Sequence, residues 1–126
     1  MDHRSLFRSV AQRPHVHGLD GSYEGAVAFI LGFDAATEGG ALLGLREWLI
    51  VRAGDGNNLA WPSLMERVIR DESPGEAVAP TKNVWLFRIL DEFFEERASQ
   101  NGLLRIHKRY LEWLQGQDWF RSEMLD

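Results

Sequence analysis

Thr81-Lys82-Asn83-Val84-Trp85-Leu86-Phe87-Arg88-Ile89-Leu90-Asp91-Glu92-Phe93-Phe94-Glu95-Glu96-Arg97-Ala98-Ser99 is the stretch whose reading decides the fold. At 3.6 residues per turn, Leu86, Ile89, Leu90, Phe93 and Phe94 fall on one arc, and Asp91, Glu92, Glu95 and Glu96 occupy the opposite one. A strand would split each set between two faces. Thr81 offers a capping hydroxyl, so the pattern predicts an amphipathic helix from Thr81 to about Ser99.

Working toward the C-terminus, Asn101-Gly102 breaks the chain. A helix from Leu103 to Gln115 follows, with Leu103, Ile106, His107, Tyr110, Leu111 and Leu114 at the spacing of a packed face. On that face His107 is expected to be a hydrogen-bonded core residue. Gly116 stops the helix, and the tail from Gln117 to Asp126 is expected to lay Trp119, Phe120 and Leu125 on the body.

Toward the N-terminus, Glu72 to Pro80 contains Ser73-Pro74-Gly75 and reads as a mobile connector. Trp61-Pro62 opens a helix to about Asp71 that buries Leu64, Met65, Val68 and Ile69, with Pro62 suited to the first turn. Ala41 to Arg52 predicts another, with Leu42, Leu45, Trp48 and Leu49 inward. Ser22 caps a helix to about Thr37 that is apolar nearly all round and is therefore expected at the centre of the fold. Its Gly25 and Gly32 lie on one side, where a neighbouring helix is expected to approach closely. The short Gly39-Gly40 connection predicts an αα-hairpin. A first helix, Arg4 to Gln12, presents Leu6, Phe7 and Val10 and ends before Pro14.

Six or seven helices with no strand alternation and no internal repeat predict an all-α, compact bundle, with residues 1–126 forming a single helical domain. A chain of 126 residues that is 44% hydrophobic and 26% charged has the composition of such a domain. The absence of cysteine excludes disulfides, thiolate metal sites and cysteine nucleophiles. The first residues lack the apolar run of a signal peptide, and the longest apolar stretch, Ala26 to Leu31, is too short to span a bilayer. The expected location is cytoplasmic, with no membrane contact.

Formal net charge is -5, and residues 71–96 alone carry seven acids against two bases. An acidic balance without a basic stripe argues against nucleic acid as a partner. If charge selects a partner, that partner is a basic protein.

Candidate chemistry is sparse. His15-x-His17 with Asp20 has a spacing used by metal sites, but a catalytic zinc needs three protein ligands, so neither a metal nor a cofactor is expected. Asp34 and Glu38 share a helix face and, with Glu47, resemble paired carboxylates. The competing account has Arg46 neutralising one of them across the Gly39-Gly40 turn. Gly54-Asp55-Gly56-Asn57-Asn58 lacks the lysine and hydroxyl of a P-loop and the acids of an EF-hand. It reads as a turn in which Asn57 or Asn58 takes a left-handed conformation and Asn58 caps the next helix. Among five tryptophans, Trp85 and Trp113 sit off the principal arcs of their helices. They either cover a second packed surface or lie exposed, where tryptophan beside acid builds a binding hot spot.

Phe29-Ile30-Leu31-Gly32-Phe33-Asp34, then Leu43-Gly44-Leu45-Arg46-Glu47-Trp48-Leu49, then Asn57-Asn58-Leu59-Ala60-Trp61, is similar to a pattern in small uncharacterised bacterial proteins, some of which resemble immunity proteins of polymorphic toxin systems. The similarity covers roughly residues 23–69 and consists of helix packing, so it carries over no functional residue.

The resemblance implies a protein-binding module that neutralises a cognate toxin domain. Asp91, Glu92, Glu95 and Glu96 would steer a basic partner, and Trp85 or Trp113 would anchor it. The alternative is a small-ligand-binding protein or enzyme with a polar pocket around Asp34, Arg46, Glu47 and Asn58. A third class is a helical protein that self-associates through its tryptophans.

Overall fold

The computed structural model describes residues 3–73, 75 and 81–120. Among the described residues there are six α-helices and no strand: α1 (His3–Gln12), α2 (Tyr23–Ala36), α3 (Leu45–Ala53), α4 (Trp61–Glu72), α5 (Thr81–Ala98) and α6 (Gly102–Gln115). A 3-10 turn, Pro14–His17, joins α1 to α2. The fold is all-α. Most of the expected connector after α4 and the end of the tail, including Leu125, lie outside the described residues.

The organising element is α5, which packs against α1, α2, α4 and α6, while α3 packs on α4 and α6. Leu86, Ile89, Leu90, Phe93 and Phe94 are all buried, so the arc seen in the sequence is the arc that faces the core. Burial of each such side chain contributes roughly 1.5–3 kcal/mol. Phe94 stacks on Phe7 of α1 at 5.4 Å between ring centres, and Phe93 meets Trp48 of α3 at 5.7 Å.

The expectation of a central α2 is corrected. It buries only Tyr23, Ala26 and Ile30, and Leu31 is 44% exposed. An apolar surface spread around a helix states no direction, and here α1 and α5 cover one side of it. Gly32 has open space where a side chain would stand, and the groups nearest Gly25 are Ser22 and Asp20 of its own N-terminal cap. Neither glycine admits a neighbouring helix.

The αα-hairpin is corrected too, because α3 packs on α4 and α6 rather than back on α2. The physical cause lies in residues 37–45, whose backbone closes in tight turns, Leu43 amide to Gly40 carbonyl at 3.4 Å and Leu45 amide to Leu42 carbonyl at 2.9 Å, braced by side chains. Thr37 Oγ1 accepts from the Ala41 amide at 2.9 Å, and Asp34 Oδ1 accepts from the Leu42 amide at 3.0 Å. Arg97 of α5 donates to the Leu43 carbonyl at 3.1 Å. Gly44, at φ +92°, then turns the chain into α3, which starts at Leu45 and not at Ala41. Ala41 and Leu42 are buried as turn residues.

Candidate functional site: the surface of α5 and α6

The acidic arc of α5 is occupied from within the molecule. Asp91 accepts two hydrogen bonds from Arg4, at 2.8 and 3.0 Å, and two from Arg8, at 2.9 and 3.1 Å. Arg4, followed by Arg8, holds the Asp91 carboxyl well below the usual carboxylate range against the opposing effect of burial. Glu92 takes Arg52 of α3 at 2.5 Å, and Arg52 also forks onto Glu72 of α4 at 2.7 Å to each oxygen. These carboxylates, Glu72 first, raise the Arg52 pKa further above its ordinary value. Glu96 accepts from the Trp48 indole at 2.7 Å and pairs with Arg109 of α6. Glu95 reaches Arg4 at 3.6 Å, and its side chain stays 71% exposed.

Thus Asp91, Glu92 and Glu96 fasten α1, α3 and α6 to α5. Sequence periodicity places these acids on the face away from the core but says nothing of the arginines that other helices bring to them. Neither of the two off-arc tryptophans lies exposed, and both pack against the edge of the core. Trp85 is half-buried at the edge of the core, with the Arg88 guanidinium 5.0 Å from its ring centre. Trp113 is half-buried between Tyr110, stacked at 6.3 Å, and Trp119 of the tail, edge-on at 6.2 Å.

Asp34, Arg46, Glu47 and Asn58 do not converge. Asp34 caps the 41–44 turn, and Arg46 donates to the carbonyls of Leu59, at 2.9 Å, and Asn57. The proposed Arg46 ion pair is therefore corrected: the guanidinium clasps the 54–60 loop. Asn57, rather than Asn58, is the asparagine with a tertiary role, accepting from the Tyr110 hydroxyl through its side chain. Asn58 is exposed, and α4 is entered from Ala60 without a side-chain cap. Gly54 and Gly56, at φ +75° and +95°, take the left-handed conformations expected of the asparagines.

His15 lies against the Leu19 carbonyl at 3.1 Å and His17 against the Ser9 hydroxyl at 3.0 Å. Among the described residues no group of three or more His, Asp or Glu side chains is placed to hold a metal ion.

No family model, curated protein or solved structure matches this chain. No described helix is long and apolar enough to cross a membrane.

Leu103 and His107, which spacing placed on the packed face of α6, are both exposed, and two leucines that the spacing assigned to no face lie beside them. Leu43, in the turn before α3, is 56% exposed, and Leu103 and Leu104 at the start of α6 are 38% and 67% exposed. They line one hollow with Gly44, Glu47, Ile106 and His107. His107 is exposed there, which corrects its expected core position: the apolar face of α6 narrows to Ile106 and Leu114. The available signal was the pair Leu103-Leu104. Adjacent residues lie about 100° apart on a helix, so one buried stripe could not cover both.

Proposed function

We propose that this chain is a protein-binding module and that the leucine hollow seats its partner. The observation that carries this reading is the contiguous exposure of Leu43, Leu103 and Leu104 beside Glu47 and His107. Exposed apolar side chains gathered on one patch and rimmed by polar groups mark interaction surfaces. The occupant that fits is a partner protein presenting an apolar ridge, such as one face of an amphipathic helix, with a cationic side chain to meet Glu47 at the rim.

Neutralisation of a toxin domain is the specific form of this activity implied by the resemblance to immunity proteins. The net charge of -5 would favour approach of a basic domain, with Glu95 the acid of α5 most open to solvent. Asp91, Glu92 and Glu96 serve cohesion of the fold, so contact energy would come from the leucines and steering from overall charge.

Calorimetric titration of the full chain with a purified candidate toxin domain tests the reading. Leu104→Asp and Leu43→Asp are expected to weaken the complex at least about tenfold, the effect of losing a buried apolar anchor, without changing the far-ultraviolet dichroism. Glu95→Lys should chiefly slow association and reduce its salt dependence. A complex indifferent to both leucine replacements would overturn the assignment of the hollow.

A further inference from the structure

On another side of the molecule, α1, the segment entering α2 and α5 as far as Phe94 enclose a half-open groove of about 480 Å³. That lies within the range of small-molecule sites, which hold an apolar body and fix it with a few polar groups. Phe7, Val10, Phe87 and Phe94 contribute its apolar lining, and Val84, 54% exposed, stands at its lip.

The charges lining this groove are unequal. Arg8, Arg88 and Asp91 all border it, two cations to one anion. Asp91 is already shared between Arg8 and Arg4. Arg88 is exposed and lies over the Trp85 ring, with no carboxylate in ion-pair range among the described residues.

We infer that this groove binds a free, small amphipathic monocarboxylate, its hydrocarbon body among the phenylalanines and its carboxylate answering Arg88. The apolar lining selects the body and the surplus cation selects the head. Arg88, on a flexible side chain, moves from Trp85 to the ligand without breaking an ion pair to any described residue. This site is separate from the leucine hollow and stands whether or not that hollow binds a protein.

Decanoate and decan-1-ol, the same chain with and without the charge, are suitable probes. Both are to be titrated below aggregation into the full isotopically labelled protein and followed by amide chemical shifts. Saturable one-to-one binding of decanoate is expected, with shifts at Val10, Val84 and Phe87. The alcohol should bind about tenfold more weakly, the size of one lost charged hydrogen bond.

Arg88→Gln should bring decanoate to the affinity of the alcohol and leave the alcohol unchanged. Val84→Trp, which fills the lip from an exposed position, should abolish both while leaving the spectrum of the free protein dispersed. The inference is overturned by lack of saturable binding at millimolar ligand, by decanoate affinity that survives Arg88→Gln, or by shifts confined to the leucine hollow.

Discussion

Arg4 and Asp91, eighty-seven positions apart, meet in a two-pronged contact, Nε to Oδ1 at 2.8 Å and Nη2 to Oδ2 at 3.0 Å. The contact ties α1 to the helix that organises the fold, and Arg8 repeats it one turn further along α1. Such parallel pairs are among the stronger hydrogen bonds available to side chains because donor and acceptor are both charged and their geometries match.

Acid should therefore loosen the N-terminal helix. The folded-state pKa of Asp91 is depressed, so its contribution to stability is complete well above the unfolded value, near about 4, and is lost as pH falls toward the folded value. Urea unfolding between pH 7 and pH 2 should show a loss on the acid side that is smaller in Asp91→Asn. At neutral pH that variant should be about 1–3 kcal/mol less stable. Equal acid sensitivity in the two proteins would show that Asp91 is not the responsible group.

Arg46→Lys should destabilise the protein by about 1–2 kcal/mol despite preserving charge. The guanidinium reaches the Leu59 and Asn57 carbonyls from two nitrogens at once, and a lysine ammonium lacks that fork. Thermal unfolding measures the loss, and the Tyr110 ring signals should shift with it, since Asn57 also holds the Tyr110 hydroxyl.

Tyr23→Phe is expected to leave stability unchanged or raise it by up to about 1 kcal/mol. The Tyr23 hydroxyl is buried without a hydrogen-bond partner, and burial pushes its pKa upward. Removing an unsatisfied polar group relieves a desolvation cost. The Lys82 ammonium, 3.9 Å from the ring centre, retains an aromatic face in the variant. Denaturant titration that shows a loss above 1 kcal/mol would reveal a hydrogen bond to the hydroxyl.

Two alanine replacements should have opposite signs. Gly32→Ala lies in a helix with open space around it, so better helix propensity should add about 0.5–1 kcal/mol. Gly102→Ala would drive a methyl into the Glu96 and Arg97 carbonyls at the end of α5, and backbone there can yield only if α6 shifts. A loss of about 1–3 kcal/mol is expected, typical of overpacking, with chemical-shift changes along α6.

The helices were legible wherever apolar residues marked a single direction. In α4 and α5 the predicted inward residues, Leu64, Met65, Val68 and Ile69, and Leu86, Ile89, Leu90, Phe93 and Phe94, are all buried. Legibility failed in α2, where apolar residues mark every direction, and in the turn before α3. Leu42 fits a helical stripe, but side-chain oxygens of Thr37 and Asp34 hold the local backbone in turns. The leucine hollow was hidden for the same reason: spacing shows that Leu103 and Ile106 share a side of α6 but does not say how much of that side is covered.

Periodicity by itself determined that this chain is helical, where α4 and α5 lie and which of their faces meet the core, because those properties depend on residues within a few turns of each other. The partners of the acids were decided only by tertiary structure. A carboxylate on an outer arc looks alike in sequence whether it awaits a partner or already holds Arg4, Arg52 or Arg109, because those arginines arrive from distant segments.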